Sequence, residues 1–198
     1  MTRILSLRAI RKTYRSGIPG CSAAVRVLRR VDLDVVPGEV VGIVGGPGSG
    51  KSTLLLCAAG LLRPDAGTVE RPRGGTYVSA LPPAYHWMAV LDMVALLTRV
   101  PRPAAIRESL DRVGLGGDLA RPVGTLSSDA LARLHVAFLL VTVPVIAFID
   151  GPISAHVGLL PLAGITVMVA ARDARAVESL ATRVVVLADG RARGAVRR

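Results

Sequence analysis

Hydrophobic and polar positions along the chain follow two periodicities that predict alternating strands and helices. Period-two alternation or short apolar runs predict strands at 3–10, 25–36, 40–44, 145–149, 165–170 and 183–189. Helical spacing or composition predicts helices at 52–62, 87–99, 104–113, 128–142 and 174–181. The first strand is expected at a sheet edge. Strands that alternate with helices indicate an α/β fold built on a mainly parallel sheet.

Length and composition favour one domain, residues 1–198, large enough to bury a core. The mean hydropathy of +0.50 prompts a search for membrane spans. The longest apolar run, residues 134–149, is shorter than a span requires and contains His135 and Pro144. No long apolar stretch precedes Arg11, so no secretory signal is expected. We therefore expect a cytoplasmic protein.

The charge of the chain is strongly positive, with a formal net charge of +11. Nucleic-acid binding is one interpretation, but the basic residues are scattered and aromatic residues make up only 3%. We favour a solvated basic surface near anionic lipid headgroups and expect no nucleic-acid partner. Only two of the 25 basic residues are lysines, Lys12 and Lys51. A lysine retained in an arginine-rich chain suggests a need for a compact ammonium group.

One of these lysines lies in the segment "GGPGSGKS", residues 45–52, which fits the phosphate-loop pattern G-x-x-x-x-G-K-[ST]. Glycines allow backbone N–H groups to surround phosphate oxygens, and the following helix adds the positive end of its dipole. Lys51 is predicted to contact the β- and γ-phosphates, and the Ser52 hydroxyl to bind Mg²⁺. The alternative is a glycine-rich turn without a ligand. The predicted nucleotide-binding residues here are Gly45, Gly46, Pro47, Gly48, Ser49, Gly50, Lys51, Ser52 and Thr53.

A second candidate position closes the apolar run 145–149, which ends in Asp150 and is followed at once by Gly151. A carboxylate at the end of a buried strand is a suitable metal ligand. Glycine beside it has no side chain with which to activate a water molecule. We predict that Asp150 lies on the metal side of the nucleotide site.

The order of these features resembles an ATP-binding cassette (ABC) ATPase, the nucleotide-binding subunit of ABC transporters, nearly from end to end. The segments that carry the resemblance are "RKTY" (11–14), residues 28–69, residues 121–140, "VIAFIDGP" (145–152) and "VVVLADGRA" (184–192). It implies a P-loop NTPase with an N-terminal antiparallel β subdomain and a shortened helical subdomain at approximately 76–142. It also implies that Tyr14 stacks on adenine. The insertion between Tyr14 and Gly45 looks most like the lipoprotein-release and macrolide-export branch.

The chain departs from the family pattern at several positions that the resemblance assigns to catalysis. Alanine replaces the Q-loop glutamine near Ala80, and "LSSDA" (126–130) replaces the LSGGQ signature, although Ser127 is still suited to meet a γ-phosphate. The remaining replacements are Gly151 for the catalytic glutamate, Val157 for the D-loop acid and Arg172 for the switch histidine. Within the signature, Asp129 is expected to bring a negative charge towards the triphosphate. Arg172 is either a γ-phosphate sensor or an ordinary surface arginine.

These departures predict that ATP and Mg²⁺ bind while hydrolysis is weak or absent. The resemblance further implies a second cassette, in a homo- or heterodimer, and a membrane-spanning permease, with the chain at the inner face of the cell membrane. The alternatives are a working ATPase with a relocated base, a scaffold or regulator outside transport, and a P-loop kinase.

Overall fold

The computed structural model describes residues 3–16, 23–79, 85–99 and 103–197 of the chain. Its strands form one nine-stranded sheet in the order β4-β1-β2-β9-β8-β3-β7-β6-β5. The strands are β1 (Leu5–Ser16), β2 (Ala23–Val35), β3 (Val40–Val44), β4 (Ala66–Glu70), β5 (Gly75–Ser79), β6 (Ile146–Asp150), β7 (Thr166–Ala171), β8 (Arg183–Ala188) and β9 (Arg191–Arg197). The helices are α1 (Lys51–Ala59), α2 (Val90–Thr98), α3 (Pro103–Arg112), α4 (Ser128–Thr142) and α5 (Leu159–Leu162).

One half of the sheet is antiparallel and contains the N-terminal strands. β1 pairs with β2 on one side and with β4 on the other. The expectation that the first strand forms a sheet edge is therefore wrong, because β4, which the sequence pattern did not predict, occupies that edge. β8 and β9 form the other antiparallel pair, joined through the turn at Asp189 and Gly190.

The other half is parallel and places the candidate site at one edge. β3 lies between β8 and β7, and β6 lies between β7 and β5, all in parallel register. The carboxyl ends of these strands therefore lie along one edge of the sheet, where ligands bind in open α/β folds. The phosphate loop follows β3 at this edge, and Asp150 is the last residue of β6.

Two hydrophobic cores cover the two faces of the parallel sheet. Alternate residues of β3 separate accordingly: Val41 and Ile43 join the core that contains α1, and Val40 and Val44 join the core that contains α2, α3 and α4. Continuous burial of β3, β6 and β7 explains why their sequences are apolar runs rather than alternating patterns.

Most of the predicted elements are present, with one clear exception. β3 and α4 have the predicted bounds, and α1 ends at Gly60, which adopts a left-handed conformation. Residues 174–181, predicted as a helix, form successive turns instead, with Val177 N–H donating to Ala174 O and Leu180 N–H to Val177 O. Val177 is fully buried against β3 at Gly42, so tertiary packing determines the conformation of this segment. Among the described residues, no helix combines the length and apolar character needed to cross a membrane.

Candidate functional site

The phosphate loop connects β3 to α1, and two of its glycines, Gly45 and Gly50, lie where a larger side chain would meet close neighbours. A Cβ atom on Gly45 would lie 2.4 Å from Leu187 O and 2.6 Å from Ser49 Oγ. Gly50 has φ +99°, and its Cβ would lie 3.0 Å from the side chain of Leu28. No side chain caps the start of α1 at Gly50, and the first N–H groups of a helix, which have no partners within it, are suited to an anion. This geometry is that of an anion cradle.

Lys51, the first residue of α1, folds back over the loop. Its Nζ donates to Gly45 O at 2.7 Å, to Gly46 O at 2.9 Å and to Ser49 Oγ at 3.4 Å. Within the described part of the chain, no carboxylate lies within ion-pair distance of this ammonium group. The positive charge is positioned by dipoles but is not neutralised, which is the electrostatic condition for binding a phosphate.

A groove of about 350 Å³ lies beside the loop and extends the positive surface. Arg26 and Arg29 of β2 line it together with residues 46–49 and the β8–β9 turn. Tyr14 lies beside α1, with its hydroxyl 3.4 Å from Thr53 Oγ1, and the residue is 43% exposed. The structure therefore brings Tyr14 to the phosphate-loop helix, where an exposed ring can stack on a base.

Asp150 is half-buried at the carboxyl end of β6 and accepts a hydrogen bond from Tyr77. The Tyr77 hydroxyl lies 2.8 Å from Asp150 Oδ2, and burial together with this carboxylate raises the pKa of the phenol. A phenol with a raised pKa remains protonated, so Tyr77 is not suited to act as a general base. The adjacent Gly151 contributes no side chain.

The residues around the loop and Asp150 fit a magnesium ion by their donor chemistry. Ser52, in the first turn of α1, is exposed, and α1 packs across β6, which carries Asp150. Hydroxyl and carboxylate oxygens are hard donors, and Mg²⁺ bound with phosphates uses only one or two protein carboxylates. Ser52 and Asp150 would hold the ion, which would neutralise charge on the bound phosphates.

The signature-like segment lies elsewhere in the chain. Ser127 caps α4 by accepting a hydrogen bond from Ala130 N at 3.1 Å, and α4 packs mainly on α2, α3 and α5. Asp129 forms an ion pair with Arg133, 2.9 Å from its Nε, one helical turn away. The negative charge expected near a triphosphate is thus balanced within α4, and sequence reasoning missed this compensation.

The segment after Asp150 is held by apolar packing and by a serine–histidine contact. Val157, at the position of the D-loop acid, is 1% exposed in the core. Ser154 Oγ lies 2.9 Å from His156 Nδ1.

Arg172 directly follows β7, the strand between β3 and β6, and its side chain is exposed. Ala80, the Q-loop position, lies outside the described residues.

Comparison with known proteins decides the family. The sequence profile of the ABC transporter family matches residues 28–154, more than half of the chain. The chain belongs to the ABC transporter ATP-binding family. It is a nucleotide-binding subunit of an ABC transporter with the P-loop NTPase fold, as the sequence resemblance predicted.

Curated relatives of this ABC ATP-binding chain include both import and release systems. It is 36% identical to aliphatic sulfonates import ATP-binding protein SsuB 3 of Nocardia farcinica, over 85% of this chain and 74% of that protein. It is 33% identical to lipoprotein-releasing system ATP-binding protein LolD 2 of Caulobacter vibrioides, over 75% of this chain and 74% of that protein.

Solved structures agree on the fold. A nucleotide-free ATP-binding cassette from an ABC transporter superposes with a TM-score of 0.81 over 99% of this chain and 92% of that one, at 22% identity.

Proposed function

We propose that this chain binds ATP with Mg²⁺ at its phosphate loop and hydrolyses it slowly or not at all. The observation that carries the proposal is the contrast between two adjacent parts of one site. Lys51 presents an uncompensated positive charge over an anion cradle, whereas the residue after Asp150 is Gly151. A positioned general base contributes ~10² to 10⁴ in rate, and the Tyr77 phenol does not supply one.

ATP-dependent pairing of two cassettes is the second element of the proposal. Ser127 caps α4, whereas the phosphate loop leads into α1, and these two helices pack mainly on different elements. Following the sandwich arrangement of the family, we infer that Ser127 of one chain meets the phosphate loop of a second chain, which is either a copy of this one or a related cassette. In such a sandwich, Gly151 and the altered signature of the same chain fall into opposite sites, so both sites are impaired. Binding of ATP would then regulate or assemble a transporter rather than power it.

A membrane-spanning permease is the expected partner of the helical part of the chain. Trp87, before α2, is 77% exposed, and Leu96 on α2 is 54% exposed. The curated relatives carry the names of import and lipoprotein-releasing systems, which supports a transport assembly. We place the chain at the inner face of the cell membrane on this basis.

Steady-state ATP hydrolysis by the purified chain, alone and with its permease, tests the proposal. We expect binding of ATP with slow or undetectable turnover in both samples. Robust turnover that is abolished in Lys51→Ala would overturn the prediction of weak hydrolysis. Absence of ATP binding by the wild-type chain would overturn the binding site itself.

A working ATPase with a relocated base is the alternative, and His156 is the residue that we would test as that base. His156 is the one histidine between Asp150 and Leu160, and its ring contacts Ser154. If turnover is observed, His156→Ala distinguishes the two explanations. Loss of turnover with unchanged ATP affinity would assign the base to His156.

A further inference from the structure

Tyr77 forms a direct contact with the candidate metal ligand that no sequence motif indicates. Its hydroxyl donates to Asp150 Oδ2 at 2.8 Å, across the boundary between β5 and β6. In the parallel register Tyr77 is opposite Phe148, and Asp150 is opposite Ser79. The phenol therefore reaches along the sheet to the last residue of the neighbouring strand, where the phosphate-binding edge begins.

The ring of Tyr77 is fixed by packing rather than by the hydrogen bond alone. It packs against the core under α1, whose members include Leu54, Leu55 and Phe148. In the described sheet β5 is the edge strand, and its neighbour β6 carries Asp150. A packed aromatic ring with a single polar end can hold a carboxylate in one orientation with little loss of side-chain entropy.

The contact with Tyr77 makes the two carboxylate oxygens of Asp150 different. Oδ2 accepts the phenolic hydrogen, whereas Oδ1 has no protein hydrogen-bond donor within the described residues. A carboxylate whose outer oxygen is hydrogen-bonded is oriented for a metal at the other oxygen, and loss of such outer partners lowers metal affinity about 10- to 100-fold. Gly151 cannot provide this support, because it has no side chain.

We propose that Tyr77 is a positioning residue that orients Asp150 towards the divalent cation of bound nucleotide. The inference rests on the proposed function and deepens it: the Mg²⁺-dependent part of ATP binding depends on one phenolic hydroxyl. The Mg²⁺-independent part depends on the phosphate loop and Lys51.

Calorimetric titration of ATP into Tyr77→Phe, with Mg²⁺ and with EDTA, tests this assignment. The variant keeps the packed ring and removes only the hydroxyl. We expect ATP affinity in Mg²⁺ to fall about tenfold and affinity in EDTA to stay unchanged. The matched control is Tyr85→Phe, a partly buried tyrosine packed on the other core, which should alter neither affinity. In an Asp150→Asn background, Tyr77→Phe should have no further effect.

Three outcomes would contradict the inference. The first is that Tyr77→Phe binds ATP in Mg²⁺ as tightly as the wild type. The second is an equal loss of ATP affinity in Mg²⁺ and in EDTA. The third is that the losses of ATP affinity in Tyr77→Phe and Asp150→Asn add up in the double variant. Equal losses would identify a structural role for Tyr77 in supporting α1. Failure of the proposed function is distinguishable, because the wild-type chain would then bind no ATP, or Lys51→Ala would bind as tightly as the wild type.

Discussion

This arginine-rich chain has two lysines, Lys51 at the phosphate loop and Lys12 in β1, and their surroundings differ in how they balance the positive charge. Lys51 Nζ is held by two carbonyl oxygens and a hydroxyl. Lys12 Nζ donates to Arg63 O at 2.9 Å and to Asp65 Oδ1 at 2.8 Å, and its pKa is raised chiefly by the hydrogen bond to Asp65. A charge held only by dipoles remains free to bind an anion, whereas a charge paired with a carboxylate stabilises the fold.

The two lysines differ in whether an arginine could replace them. Lys12 ties β1 to the segment between α1 and β4, because Asp65 also accepts from Thr13 N–H at 2.7 Å. An arginine could make a similar ion pair at this partly exposed position. At Lys51 the three acceptors lie close together around one nitrogen, which suits a compact ammonium group better than a planar guanidinium.

The largest expected effect comes from the same conservative change at both lysines. Lys51→Arg should weaken ATP binding about 100-fold, which corresponds to about 2.7 kcal/mol, because the guanidinium cannot occupy the position of the ammonium group over the loop. Lys12→Arg should leave ATP affinity unchanged and serves as the matched control. Titration of ATP into both variants measures the difference. Equal affinities would show that Lys51 contributes only a positive charge.

The amino-acid sequence predicts the strand, loop and helix around Lys51 because the signals for them are local. The glycines, Lys51 and Ser52 occur within one short segment, and the buried strand before it and the helix after it have clear patterns. The contact between Tyr77 and Asp150 and the anchoring of Lys12 depend on strand register and on residues far apart in the chain. The turns at 174–181 escaped prediction for a related reason: helical composition yields to the packing of Val177 on Gly42.

His135 differs from both lysines, because its basic side chain is buried and no hydrogen bond to it is found among the described residues. It is 4% exposed, neither ring nitrogen has a hydrogen-bond partner among the residues that the structure describes, and burial lowers its pKa to about 4. The unfolded chain binds a proton near pH 6.5 and the folded chain does not, so stability is lost as pH falls from about 6.5 to about 4. Between these two pH values the free energy of unfolding falls by about 1.4 kcal/mol per pH unit.

Urea unfolding at pH 7.5 and pH 5.0 measures this loss. His135→Leu should remove most of the pH dependence in that window, because the unfolded state no longer gains a proton there that the folded state excludes. His86→Leu, at an exposed histidine, is the control and should keep the slope. An unchanged slope in His135→Leu would mean that His135 is protonated in the fold and that burial alone does not suppress a charge here.

The smallest expected effect is at Lys12, where the ion pair with Asp65 is partly exposed to solvent. Lys12→Met keeps the aliphatic stem and removes the charge, and we expect the Tm to fall by a few degrees with ATP affinity unchanged, since exposed ion pairs contribute little. The pKa of Asp65, held low first by Lys12 and then by Thr13 N–H, should rise in this variant. Titration of the Asp65 carboxyl by NMR would detect this rise, and the remaining Thr13 hydrogen bond should keep the pKa below its ordinary value. A loss of ATP affinity in Lys12→Met would contradict the comparison, because it would show that the anchor of β1 also positions Tyr14, two residues further along the same strand.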